Sequence, residues 1–228
     1  MSVDERMVHD IVQKVMANMQ ISGSVSGMHG VFKDMNDAIN ASIEAQKKVC
    51  TMTLDQREQI ISLIRKKTHE NAEILANMGV NETGMGNVGD KILKHHLTAD
   101  KVPGTEDIST IAWSGDRGLT LVEMGPFGVI GAITPATNPS ETVICNCIGM
   151  LAGGNTVVFN PHPNAKKTTI YTINMINEAS IEAGGPDNIA VTVEAPTLDT
   201  SAIMMKHPSI HLLVATGGPG VVTAVLSS

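Results

Sequence analysis

Residues 128–139 read GVIGAITPATNP, and this stretch decides the fold. Gly128–Thr134 is rich in residues that favour β-strands, and Pro139–Leu151 has the leading proline and the apolar content of a helix. A strand that gives way to a helix after a short connection is the repeating unit of a parallel sheet.

The alternation of strand and helix continues downstream of this stretch. The sequence predicts, in order, strand Thr156–Asn160, helix Ala165–Ala183, strand Asn188–Glu194, helix Asp199–His207, strand Ile210–Ala215 and helix Pro219–Ser227. Val157–Phe159 and Leu212–Val214 are apolar without alternation, as expected for strands buried on both faces. With short connections between the elements, this order implies an α/β fold with a doubly wound parallel sheet.

Upstream of the decisive stretch, residues 31–101 have a helical pattern. A first helix begins at Phe32, and Thr53 can cap a second that runs from Leu54 to about Met78. The residues of 81–84, with Glu82 among them, are interpreted as the terminator of that second helix. A third helix is predicted around Lys91–Asp100, and a strand at Leu119–Glu123. The sheet is therefore expected to follow a helical N-terminal region.

The first 19 residues predict an amphipathic helix separate from this body. Their apolar residues recur at spacings of one, three and four, which places them on one helix face. Residues 20–30 are rich in Gly and Ser and predict a flexible linker. A short helix on such a linker is marginal alone and is expected to need a partner surface. A dimer contact or a disordered tail is the alternative.

Composition excludes several classes of function. The net charge of −7 and the absence of a basic patch argue against nucleic acid binding. No apolar run approaches the ~20 residues that span a membrane. The three cysteines have no zinc-ligand spacing, so no metal site is predicted and a reducing cytoplasm is the expected compartment. Cys145 and Cys147 are predicted to be buried structural thiols, and His95-His96 to lie on a solvated helix face.

Three strand-to-helix turns are the candidate binding sites, because ligands of open α/β sheets bind beyond the carboxyl ends of the strands. The first turn consists of Thr134, Pro135, Ala136, Thr137, Asn138 and Pro139. It offers free N–H groups at a helix start, and Thr137 and Asn138 can place a hydroxyl or an amide near a nicotinamide or an oxyanion. The alternative is a turn with polar caps and no ligand.

The other two turns follow the next strands. In Asn160-Pro161-His162-Pro163, two prolines fix the backbone, and Asn160 and His162 would suit ribose hydroxyls or an adenine edge. In Thr216-Gly217-Gly218-Pro219-Gly220, glycines let the backbone approach a phosphate at a helix start. The Thr216–Gly220 turn does not have the G-x-G-x-x-G pattern of the common dinucleotide-binding motif. A rigid surface loop and a plain tight turn are the respective alternatives.

The order and spacing of these segments resemble the aldehyde dehydrogenase superfamily. The resemblance rests on four stretches, EMGPFGVIG at 123–131, ITPATNP at 133–139, GNTVVFNPHP at 154–163 and ATGGPG at 215–220. The TNP turn, the NPHP loop and the TGGPG turn are similar to the CoA-acylating branch. The resemblance covers about residues 31–228 and implies a Rossmann-type, NAD-binding domain over that range.

The resemblance implies the reaction of an aldehyde with CoA and NAD⁺ to give acyl-CoA and NADH, through a cysteine thiolate. It places Thr134–Asn138 at the nicotinamide end of the cofactor, with Thr137 and Asn138 near the reacting oxygen. It places Asn160, His162 and Pro163 at the adenosine ribose, and Thr216, Gly217 and Gly218 at the phosphates. No basic residue adjoins Asn160, which favours NAD over NADP.

The same resemblance implies partners and a location. Cargo enzymes of bacterial microcompartments carry an amphipathic helix on a flexible linker, so residues 2–19 are expected to bind a shell protein. A short-chain aldehyde and CoA are the expected substrates. The full-length protein is expected to be a homo-oligomer in the cytoplasm, inside a microcompartment.

The family's nucleophilic cysteine is expected downstream of Gly220, in a separate catalytic domain, and the sequence ends eight residues later at Ser228. These 228 residues are therefore expected not to catalyse acyl transfer alone. A catalytically inactive nucleotide-binding module, and the aldehyde dehydrogenase half of a bifunctional aldehyde–alcohol dehydrogenase, remain as alternatives.

Overall fold

A five-stranded parallel sheet lies at the centre of the computed structural model, which describes residues 27–228. The strands are β1 (Val31–Phe32), β2 (Ile111–Gly115), β3 (Gly118–Val122), β4 (Val129–Thr134), β5 (Thr156–Pro161), β6 (Ala190–Val193) and β7 (Ile210–Ala215). The parallel sheet has the strand order β1-β6-β5-β4-β7, and β2 and β3 form a separate hairpin. The helix predicted at residues 1–19 and most of the linker fall outside the described residues.

Helices cover both faces of the sheet. They are α1 (Met35–Val49), α2 (Leu54–Thr83), α3 (Val88–Lys101), α4 (Pro139–Ala152), α5 (Lys166–Glu182), α6 (Leu198–Lys206) and α7 (Pro219–Leu226). Core residues of α2, α4 and α5 pack with Val157 and Phe159 of β5. Core residues of α1, together with Met204 of α6, pack with Val158 of the same strand. Successive side chains of a strand point to opposite faces, so these are two core layers, and the predicted doubly wound sheet is confirmed.

The N-terminal helical region is confirmed with two corrections. Phe32 does not begin a helix, because Val31–Phe32 pairs in parallel with β6 and Asp34 caps α1 through its side chain. The second helix extends past the predicted end at Met78 to Thr83, where Gly84 adopts a left-handed conformation with φ 67°. Thr53 does cap that helix, in a reciprocal capping box with Gln56.

The segment 81–84 does end the second helix, at Gly84, but Glu82 itself is still helical. It lies in the last turn of α2, and its carboxylate accepts hydrogen bonds from the backbone N–H of Lys167 at 2.7 Å and of Thr168 at 2.8 Å. The Thr168 hydroxyl also donates to it, at 2.7 Å. The carboxylate thus caps the start of α5, where a negative charge is favoured by the helix dipole. The contact joins positions more than 80 residues apart, so no local pattern indicates it.

Strand pairing aligns the ends of β4, β5 and β7. Thr134 is level with Pro161, and Ile133 is level with Ala215. Backbone bonds extend this alignment into the turns, from the N–H of His162 to Thr134 O at 3.1 Å and from the N–H of Thr216 to Ile133 O at 3.0 Å. The three turns that follow these strands therefore lie side by side. Between residues 27 and 228, no helix is both long and apolar enough to cross a membrane.

Candidate functional site

A cleft of about 470 Å³ lies where the three turns meet. Ten of the eleven residues predicted to bind the cofactor line it: Thr134, Pro135, Ala136, Thr137, Asn160, His162, Pro163, Thr216, Gly217 and Gly218. Asn138 does not line the cleft. The other wall, which was not identified from the sequence, comes from α6 and α7, with Thr197, Leu198, Ser201, Met205, Val221 and Ala224. No Lys or Arg is among the described residues that line the cleft.

The first turn contains a buried polar atom without a partner and an exposed hydroxyl. Thr134 ends β4, and its side chain is almost fully buried, at 1% exposure. Its hydroxyl has no hydrogen-bond partner among the described residues. A buried hydroxyl without a partner is unfavourable unless an ordered water or another group completes its bonding. Thr137, in the same turn, is exposed and also faces the cleft.

In the second turn, both polar atoms of the Asn160 side chain already bond to other residues of the chain, whereas a contact with ribose was predicted. Asn160 is 4% exposed, and its amide oxygen accepts from the Thr200 hydroxyl at 2.7 Å. Its amide nitrogen donates to Ser201 Oγ at 2.6 Å. These bonds fix the start of α6 against β5. Its contact with ribose stays a prediction. His162 is exposed, and its Nδ1 accepts from the N–H of Asn164 at 3.2 Å.

The third turn leaves a helix start open. Gly218 is the N-cap of α7 and makes no side-chain cap bond. Its φ of −70° and ψ of 168° suit any residue, and a Cβ there would meet no atom within 4 Å. Neither backbone conformation nor packing within the described residues therefore requires glycine at this position. The missing side chain leaves room beside the N–H of Gly220, which is the first N–H of α7 because Pro219 has none, and this fits a phosphate.

A polar network behind the first turn was missed by the sequence analysis. Lys91 of α3 donates through Nζ to Thr137 O at 3.0 Å and to Glu141 Oε1 at 3.2 Å. His95, fully buried, bonds through Nε2 to Ser140 Oγ at 2.7 Å and through Nδ1 to Lys91 O at 2.7 Å. The prediction of a solvated face was therefore wrong for His95. Burial lowers the pKa of its imidazole below the usual value, against the attraction of the Glu141 carboxylate.

The neighbouring histidine contributes to no metal site. His96 stacks on His69 of α2, with ring centroids 4.9 Å apart, and His69 bonds to Asp100 at 2.8 Å. Residues 27–228 contain no group of three or more His, Cys, Asp or Glu side chains that could hold a metal ion.

None of the three cysteines lines the cleft. Burial raises the pKa of the Cys147 thiol to about 12, which fits the structural role predicted for it. Cys145 is exposed, so the prediction of burial was wrong for it, although partial desolvation still raises the pKa of its thiol. Cys50, also exposed, lies at the C-cap of α1.

Comparisons with known proteins agree with this architecture. Residues 17–228 match the sequence profile of the aldehyde dehydrogenase family. An acetaldehyde dehydrogenase (acetylating) of Bilophila wadsworthia is 46% identical over 227 residues, which are 96% of this chain and 46% of that protein. The chain thus spans about half the length of the curated relatives that it matches.

Two solved structures are similar to the chain. The propionaldehyde dehydrogenase from the fucose utilisation bacterial microcompartment of Clostridium phytofermentans is 72% identical, with a TM-score of 0.86, over 87% of this chain and 46% of that one. An engineered glycolyl-CoA reductase with bound NADP⁺ is 48% identical, with a TM-score of 0.85, over 87% of this chain and 45% of that one. The matched profile and the parallel sheet together show that this chain belongs to the aldehyde dehydrogenase family.

Proposed function

We propose that the cleft binds NAD and that residues 31–228 are the cofactor-binding domain of a CoA-acylating aldehyde dehydrogenase. The observation that carries this proposal is the meeting of three independently predicted turns in one cleft. The exposed hydroxyl of Thr137 and the open start of α7 are the polar groups that a dinucleotide would engage.

The reaction that we propose for the whole protein oxidises a short-chain aldehyde to an acyl-CoA. Bound NAD⁺ supplies the hydride acceptor. In this chain, the Gly217–Gly218 backbone holds phosphate oxygens, and the apolar side chains of α6 and α7 exclude water from one wall. We assign the oxyanion to the other end, where the hydroxyl of Thr137, which lines the cleft, or the amide of its neighbour Asn138, which does not line it, would stabilise the developing charge. We propose that the nucleophile is none of the three cysteines of this chain, and their absence from the residues that line the cleft supports this.

The choice of NAD over NADP rests on charge. A 2′-phosphate needs a cationic or strongly donating partner, and no Lys or Arg lines the described cleft. The NADP⁺ bound by the related glycolyl-CoA reductase makes this the part of the proposal to test directly. The two cofactors differ only at that phosphate, so their relative affinities report on it.

We also infer the setting of the protein. A relative from a fucose utilisation microcompartment supports a location inside such a compartment in the cytoplasm. The amphipathic pattern of residues 2–19 supports binding to a shell protein. The full-length protein is proposed to be a homo-oligomer, as the resemblance implies. Deletion of residues 1–20 should abolish shell association and leave cofactor binding unchanged.

Titration of the 228-residue chain with NADH and with NADPH, followed by cofactor fluorescence, tests the proposal. NADH should bind, and NADPH should bind more weakly. In parallel, the chain given propionaldehyde, CoA and NAD⁺ should form no NADH. A folded chain that binds neither cofactor would refute the proposed site, and CoA-dependent turnover would place the reacting thiol at Cys50, Cys145 or Cys147.

A further inference from the structure

Helix α3 reaches the first turn of the cleft through three side chains. Lys91 donates to the carbonyl oxygen of Thr137, at 3.0 Å, and Lys94 donates to Asn138 Oδ1, also at 3.0 Å. His95 bonds to Ser140 at 2.7 Å. These contacts cover 137–140, which is the link from the end of β4 into α4. A helix outside the sheet layer therefore holds the turn from behind.

The Lys91 contact is the most deeply buried of the three. Lys91 is 4% exposed and its ion-pair partner Glu141 is 5% exposed. The lysine stem is also enclosed, since a Cβ on Gly86 would lie 3.3 Å from Lys91 Cε. Glu141 stands in the first turn of α4, where the helix dipole favours a carboxylate. The ammonium is thus confined to one position, between a carboxylate and a backbone carbonyl.

A buried ion pair is weak evidence for stability, because desolvation of both charges offsets their attraction. Two apolar side chains of the same volume would fill this space at no greater cost. What they could not do is donate a hydrogen bond to Thr137 O. The peptide unit is planar, so a donor fixed on that carbonyl sets the plane that joins Thr137 to Asn138.

We propose that Lys91 is a positioning residue of the candidate site: its ammonium, neutralised by Glu141, holds the Thr137 carbonyl and so fixes how the turn presents Thr137 to the cleft. The role of this turn in the cleft rests on the proposed function. The dependence of the turn on Lys91 rests only on the geometry, and hydrogen exchange measures it separately from cofactor binding.

The test uses paired variants of the whole 228-residue chain. Lys91→Met alone leaves Glu141 buried without a partner and can fail to fold. The double variant Lys91→Met/Glu141→Leu removes both charges and keeps apolar volume. Its control is Lys67→Met/Glu182→Leu, which removes a more exposed Lys–Glu pair, 2.9 Å apart, between α2 and α5. Each double variant is compared with the unmodified chain in melting temperature, hydrogen exchange and NADH affinity.

The proposal predicts a local effect at nearly unchanged melting temperature. Amide hydrogens of the segment 136–142 should exchange on the order of tenfold faster in the Lys91/Glu141 variant, since the bonds from Lys91 to Thr137 O and from Ser140 to Glu141 are both lost. NADH should bind that variant more weakly, with a Kd raised by up to about tenfold. The Lys67/Glu182 control should change neither quantity.

Equal exchange of this segment in the two double variants would overturn the proposal, and so would a faster exchange spread evenly over the chain. If the unmodified chain binds no NADH, the proposed function fails, but the exchange comparison still decides whether Lys91 positions the turn. Faster exchange with unchanged NADH affinity would also overturn it, because the turn would then be held for stability and not for the cleft.

Discussion

A carboxylate placed at Gly218 tests the phosphate turn most directly. Gly218 is the N-cap of α7, its backbone is extended, and a Cβ added there would have no atom within 4 Å, so Gly218→Asp fits without strain. Asp is a favoured N-cap, and the change should leave the fold as stable or a few tenths of a kcal/mol more stable. A phosphate and the new carboxylate that accept from the same or adjacent N–H groups, each about 2.9 Å from the nitrogen, would lie roughly 5 Å apart. Their repulsion is then about 1 to 3 kcal/mol, depending on the local dielectric, which raises the Kd for NADH roughly 5- to 150-fold.

The matched control is Gly218→Asn, which adds a capping side chain of the same size without charge. NADH titrations of both variants at low and high salt separate the two effects, because salt weakens only the charge term. We expect the Asp variant to bind far more weakly than the Asn variant at low salt, and the gap to narrow at high salt. Equal affinity of the two variants would show that no phosphate lies at the start of α7, and the placement of the cofactor would be wrong.

Three further predictions concern reactivity and stability. Alkylation by iodoacetamide should modify exposed Cys50 long before Cys147, whose thiol is buried with a pKa of about 12; equal rates in the folded chain would contradict the core placement. Glu82→Ala should lower the free energy of unfolding by about 1 to 2 kcal/mol in urea titrations, because α5 loses its cap; an unchanged value would mean that the three hydrogen bonds contribute nothing. The folded chain should lose stability as pH falls below about 6.5, since the lowered pKa of His95 means that the unfolded chain binds the proton first. Below that pH, the free energy of unfolding should fall by up to about 1.4 kcal/mol per pH unit. The fall should be smaller in His95→Gln, and the same pH dependence in both proteins would refute the prediction.

The sheet and its turns could be predicted because their signals are local. Strand β7 begins and ends at the predicted residues, Ile210 and Ala215, since an apolar run between turn residues fixes both limits. Strand β1 was missed because two residues carry no periodicity, and its pairing partner Thr192 lies 161 positions away. Strand β2 was missed as well, although its partner β3 was found. Both strands are fully exposed, but β2 holds Ala112, Ser114 and Gly115 and a single β-branched residue, which weakens its strand signal.

The residues of the candidate site were likewise found where their signals are local and missed where they depend on long-range packing. Residues at the ends of β4, β5 and β7 were identified because a parallel sheet brings the carboxyl ends of its strands to one edge, whatever the rest of the fold does. Lys91 and His95 reach that edge from a helix whose position depends on tertiary packing, and their partners lie 45 to 50 residues away. Each looks in sequence like an ordinary polar residue of a surface helix. If Lys91 positions Thr137 as proposed, a residue that could not be found from the sequence fixes the conformation of one that could. Variation at 91 and 141 should then alter the cleft without changing any residue that lines it.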